Sequence, residues 1–176
     1  MPESFTHSDA KIDLYYSLLQ DELEAYPEKA IGHTRTDVLT EIGEHQIAIE
    51  IQHTRIPIKS ILRRMQEHTE SGAYTLWLIT PDALLAGKRV RNLNWVFFIQ
   101  RLQGGMIFLP GENQKIIPAR VDNTLVFHND EIVAGKRKFL DQREAIELCD
   151  LKCEKNEDFG VNIVTMDEWW VEGWEM

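Results

Sequence analysis

The chain has 176 residues, 43% apolar and 27% charged, which suits one soluble domain with a sizeable core. No apolar run approaches the roughly 20 residues of a membrane span, and the N-terminus lacks the basic and apolar regions of a secretory signal. Two cysteines, Cys149 and Cys153, exclude a disulfide framework; with no second pair and no nearby histidine they do not suggest zinc either. A cytoplasmic protein with reduced thiols is the expectation.

The net charge of -10 argues at first against a nucleic-acid partner. The distribution softens that objection. Residues 1–50 carry -8, residues 51–140 carry +6 and residues 141–176 carry -8. A basic middle between acidic ends marks either a binding surface or solvated faces.

In chain order, residues 8–26 read as a helix, with Ser8 as cap and Ile12, Tyr15, Tyr16, Leu19 and Leu23 at helical spacing. Pro27 ends it. Residues 34–42 are β-branched and read as one strand, followed by a turn at Gly43–His45. Residues 46–53 alternate: Ile47, Ile49 and Ile51 share one face, and Ala48, Glu50 and Gln52 share the other. The two strands should form an antiparallel hairpin.

Pro57 opens a helix over 57–71, closed by Gly72, with an apolar stripe of Ile58, Ile61, Leu62 and Met65. It should cross over to a buried parallel strand at 74–80. Residues 92–103 read as a buried helix and 105–128 as a β-meander with a turn at Gly111–Asn113. A polar helix is expected over about 141–152. The tail aromatics Trp169, Trp170 and Trp174 either dock on the core or offer a contact surface to a protein partner or a second copy. The order of elements predicts an α/β layer architecture.

The chemistry concentrates in two strands. Neighbouring strands lie about 4.8 Å apart, so Asp37 and Glu50 would converge on one cation. Hard divalent cations such as Mg²⁺ take one or two carboxylates plus water and substrate phosphate. Gln52, two positions past Glu50, would line the same spot. The bland alternative is a pair of solvated carboxylates, but a charge between isoleucines in a buried strand is costly without a partner. Arg55, Lys59 and Arg63, four residues apart, either face phosphates or form a solvated helix face.

The run Arg35-Thr36-Asp37-Val38-Leu39, then Ile49-Glu50-Ile51-Gln52-His53-Thr54, then Arg64 and Trp77-Leu78-Ile79, resembles the competence protein CoiA-like nuclease family of the PD-(D/E)xK superfamily. The strong part covers about residues 28–80; 93–121 is more weakly similar. The family pattern places a Tyr four residues after the helix Arg, where this chain has His68.

The resemblance implies a restriction-endonuclease-like core over about 8–104. Its central mixed β-sheet is flanked by helices, and a C-terminal β-meander and helical extension follows over about 105–176. It also implies a Mg²⁺- or Mn²⁺-dependent deoxyribonuclease acting on DNA in processing, recombination, uptake or defence. In it Asp37 and Glu50 bind metal, and Gln52 stands where the superfamily usually has Lys. Arg35, Arg55, Lys59, Arg63 and Arg64 contact DNA or support the site, and Glu22 or Glu28 is the first-helix carboxylate that often joins it. The alternative is a DNA-binding or assembly protein that kept the fold without turnover.

Overall fold

The alternating strand at residues 45–52 is the axis of the molecule. In the computed structural model, which describes residues 13–14, 25–80, 83–84, 94–113, 115–123, 126–128, 131–133 and 138–166, it is strand β5 (His45–Gln52). The short edge strand β1 (Ala25–Pro27) comes first, followed by a small hairpin of β2 (Ala30–Ile31) and β3 (Thr34–Arg35). Strand β4 (Val38–Ile42) then pairs antiparallel with β5, with Val38 opposite Ile49. Helix α1 (Ile58–Glu70) crosses over to β6 (Ala73–Ile79), which runs parallel to β5 with Glu50 opposite Trp77. Gly72, at φ +79°, makes the tight exit from the helix that a side chain would strain.

Helix α2 (Asn94–Leu102) leads to β7 (Ile107–Pro110) and β8 (Ile116–Asn123), an antiparallel pair. A separate ribbon of β9 (Val126–His128) and β10 (Glu131–Val133) follows. Then come β11 (Lys138–Gln142) on β8, and the hairpin β12 (Lys152–Asn156) with β13 (Val161–Thr165). Among the described residues one mixed nine-stranded sheet carries the order β1-β4-β5-β6-β7-β8-β11, with β12 and β13 attached beside β6.

Strand β6 is where the sheet divides. Thr75 pairs with Ile163 of β13, and Leu78 pairs with Phe108 of β7. Between them the Trp77 N–H donates to Oε1 of the fully buried Gln103, 3.1 Å away. A side-chain amide thus satisfies a backbone donor that neither strand reaches, a group costly to leave unmet in the interior.

Two apolar layers cover the sheet. On one face Trp77 and Ile79 pack with Ile61 and Met65 of α1 and Trp95 and Ile99 of α2. On the other Ile47, Ile49 and Ile51 pack with Leu76, Phe108, Leu148 and Val164. This central mixed sheet flanked by helices is the α/β architecture expected.

Several boundaries differ from expectation. Residues 25–27 are strand, so the helix expected over 8–26 does not reach 25, and apart from 13–14 the rest of that stretch lies outside the described residues; Pro27 fits there because an edge strand tolerates a missing donor. The expected strand at 34–42 is broken at Thr36–Asp37. Ile58 is exposed rather than part of the buried stripe, and His68 completes that stripe instead. The expected polar helix over 141–152 is absent: β11 ends at Gln142, Ile146 bridges to Ile116, Leu148–Asp150 is a single 3₁₀ turn and β12 follows. Ile146 and Leu148 are both buried, and a spacing of two puts apolar residues on one side of an extended chain, not of a helix. The meander expected at 105–128 is instead a β7–β8 hairpin joined to the main sheet, with β9 in a separate ribbon. The tail tryptophans and Glu22 lie outside the described residues.

Candidate active site

Alternation sends Ala48, Glu50 and Gln52 of β5 toward helix α1, opposite the isoleucine layer. Glu50 is 1% exposed. A carboxylate at that depth needs partners, and α1 supplies them from one stripe, since residues four apart share a helix face. Arg64 Nη1 donates to Glu50 Oε2 at 3.1 Å, with the Arg64 side chain 35% exposed at the rim. One turn on, His68 is fully buried and its Nε2 lies 3.4 Å from Glu50 Oε1. Burial, and secondly the Arg64 guanidinium, lower the His68 pKa from 6.5 to about 4. The ring is therefore neutral near pH 7, and its 3.4 Å approach to Glu50 is a polar contact of neutral imidazole, neither a hydrogen bond nor an ion pair.

Asp37 sits where β4 has not yet begun. Val38 opposite Ile49 is the last paired rung, and one further step along that register brings Asp37 beside Glu50. Leu39, two residues on, clusters with Ala48. In place of a backbone rung, two side chains bind β5 here. The Ile51 N–H donates to Asp37 Oδ2 at 2.8 Å, and the buried Thr36 hydroxyl donates to the Ile49 carbonyl at 2.9 Å. The strand break at Thr36–Asp37 is thus what turns the Asp37 carboxylate onto β5. Thr36 takes part in the site's construction without having been singled out; its buried hydroxyl in a β-branched run carried no distinguishing signal.

Gln52, at the end of β5, is half-buried, and its Nε2 donates to the Thr54 carbonyl at 2.7 Å. Glu28 is not on a helix: it follows β1 as an exposed residue at φ +53°, its N–H donating to the Asp37 carbonyl at 3.0 Å. The positive φ belongs to the bend that carries the chain from β1 into the β2–β3 hairpin. Arg35 is exposed at the end of β3. Arg55 precedes α1, and Lys59 and Arg63 lie on it; all three are exposed. Of the cations expected near the site, Arg64 touches a candidate ligand, Glu50.

The side-chain atoms that the two expected ligands, Asp37 and Glu50, offer are carboxylate oxygens. Among the described residues no group of three or more His, Cys, Asp or Glu side chains gathers to hold a metal. No described helix is long and apolar enough to cross a membrane.

The model of the nuclease-like domain of competence protein CoiA matches residues 3–152. No curated protein and no solved structure matches the chain. The match runs from before β1 through the 3₁₀ turn, and so takes in both strands of the candidate site, α1 and the β7–β8 pair. By that match the chain belongs to the family of the nuclease-like domain of competence protein CoiA, which assigns it a nuclease-like role.

Proposed function

We propose that this protein is a Mg²⁺- or Mn²⁺-dependent deoxyribonuclease of the PD-(D/E)xK type. The observation that supports the reading is that Asp37, held by the Ile51 N–H just past the end of the β4–β5 ladder, adjoins the strand that carries the buried Glu50. Oxygen donors are what a hard divalent cation takes, and Mg²⁺ sites ordinarily complete two carboxylates with water and substrate phosphate. The two residues therefore fit such an ion without a third protein carboxylate. When bound, the ion lowers the pKa of water and neutralises phosphate charge.

The chain's own residues have distinct tasks in this reading. Arg64 holds the Glu50 carboxylate in one orientation, and the Ile51 N–H does the same for Asp37. Gln52 orients the attacking water or the scissile phosphate; as a neutral amide it supplies direction but no charge. Arg55, Lys59 and Arg63 line the exposed side of α1 and its approach, where they meet the DNA backbone.

A second reading is a DNA-binding or assembly protein without turnover. It is favoured by Gln52 in place of Lys, and by the burial of Glu50 to 1% exposure. Single-turnover cleavage of single-stranded, double-stranded and branched DNA, with Mg²⁺ and with Mn²⁺, separates the two. Wild type should cleave only with metal, and Glu50→Ala should be inactive. Gln52→Ala should be slower by about 10²–10³-fold, the usual cost of one transition-state donor. DNA binding with no cleavage by wild type under either metal would establish the second reading.

A further inference from the structure

The ring of His68 is surrounded by groups whose own hydrogen bonds dictate where its proton lies. Thr34 Oγ1, 3.4 Å from Nε2, donates its proton to the Ile31 carbonyl, so toward the ring it can only accept. Glu50 Oε1, at the same distance from Nε2, belongs to the carboxylate that accepts from Arg64. Both neighbours of Nε2 are acceptors, so Nε2 carries the hydrogen; its hydrogen-bond partner is Thr34 Oγ1, and Glu50 Oε1 is a polar contact at 3.4 Å without hydrogen-bond geometry. A neutral imidazole with Nε2–H has a lone pair on Nδ1. Thr75 Oγ1 lies 2.9 Å from Nδ1, and its hydroxyl is therefore the donor there. Thr75 stands on β6 opposite Ala48 of β5, fully buried, so the hydroxyl is fixed by the sheet itself.

We infer that His68 is a positioning residue. Locked by Thr75 as the Nε2–H tautomer, it turns that N–H edge toward one oxygen of Glu50, 3.4 Å away, while Arg64 hydrogen-bonds the other. The two contacts differ in kind. Arg64 brings full charge and lies half-open to solvent; His68 brings a neutral donor from the sealed side, which orients the carboxylate without competing as a cation for its negative charge. A side chain that fixes a carboxylate from behind leaves that carboxylate's charge for another cation, which is how partners of metal ligands ordinarily act. The consequence for metal affinity rests on the reading of Glu50 as a ligand; the assignment of the tautomer does not.

Two measurements test this separately. Ring-nitrogen NMR shifts of His68 in the full-length protein at neutral pH distinguish the tautomers, and the Nε2–H form is expected. Thr75→Val, close in shape, should reduce that preference. A dominant Nδ1–H form in wild type would overturn the inference whatever the protein's activity. Calorimetric titration with Mn²⁺ gives the second readout. His68→Leu should weaken Mn²⁺ binding by about 10–100-fold, whereas His68→Gln, which returns an N–H near the Nε2 position, should recover most of it. Should His68→Leu fail to fold, Thr75→Val carries the same comparison and should weaken binding several-fold. Unchanged Mn²⁺ affinity in the folded variants would also overturn it. Absence of Mn²⁺ binding by wild type would instead defeat the metal reading, and the NMR result would still decide the role of His68.

Discussion

His68 also makes the protein sensitive to acid. Its folded pKa of about 4 lies below the ordinary 6.5, because burial and Arg64 both oppose its charging. The unfolded chain takes up this proton near pH 6.5, whereas the folded chain refuses it until about pH 4. The contribution of neutral His68 to stability is thus fully present above pH 6.5 and is lost as the pH falls toward 4. The interval corresponds to about 3 kcal/mol. Comparing wild type with His68→Gln cancels the other titrating groups. The difference in unfolding free energy, measured with denaturant across that range, should move against wild type on acidification by an amount of that order. Parallel pH profiles would show that His68 titrates freely. The residues of the site were unevenly legible in the sequence. Alternation put Glu50 and Gln52 on one face, and a buried carboxylate flanked by isoleucines stood out by its cost. Arg64 and His68 drew notice through the family pattern, but nothing local announced that both converge on Glu50. Thr34, Thr36 and Thr75 were silent, because a threonine in a strand is ordinary until a buried group needs its hydroxyl.

In the proposed reading, helix α1 serves the site on two sides. Its buried stripe ends in His68 beneath the sheet, while Lys59 and Arg63 face solvent with Arg55 just before the first turn. If the exposed side meets the DNA backbone, Lys59→Glu combined with Arg63→Glu should weaken binding and flatten its salt dependence. The slope of log K against log salt should fall by roughly 1 for each lost phosphate contact. Fluorescence anisotropy with labelled DNA over a salt series reads both effects; an unchanged slope would remove α1 from the interface. Elements with a strong period were legible: α1, α2, β5 and β6 fall within a few residues of their expected limits. Those without one were not. The segment around Ile146 and Leu148 is rich in helix-forming residues, yet its two buried apolar side chains lie two apart, and pairing with Ile116 overrides propensity. The break at Thr36–Asp37 escaped notice because the sequence there is as β-branched as any strand; only the hydrogen bonds to Ile49 and Ile51 show why the chain leaves the ladder.

At the scale of the whole molecule, the connection between the two halves of the chain runs through β6. Its N-terminal part leans on β13, its C-terminal part on β7, and the rung between them is closed by Gln103, the residue after α2. Residues 107–165 therefore complete the same sheet that bears Asp37 and Glu50. They also contribute Phe108, Leu148 and Val164 to the layer beneath Ile49 and Ile51. No local pattern reveals such a dependence, because strand order in a mixed sheet follows from long-range pairing. A fragment ending at Gly104 keeps Gln103 but loses β7 and β13, the two strands that pair with β6 on the side away from β5. The fully buried Leu76 and Leu78 would then face water along an unpaired edge. Each such side chain contributes roughly 1.5–3 kcal/mol through burial, against a total stability of only about 5–15 kcal/mol for a typical domain. The fragment 1–104 is therefore expected to lack a cooperative thermal transition by circular dichroism, where the full chain shows one. A fragment that melts cooperatively and binds Mn²⁺ like the full chain would mean that the N-terminal strands and α1 form the site without the C-terminal half.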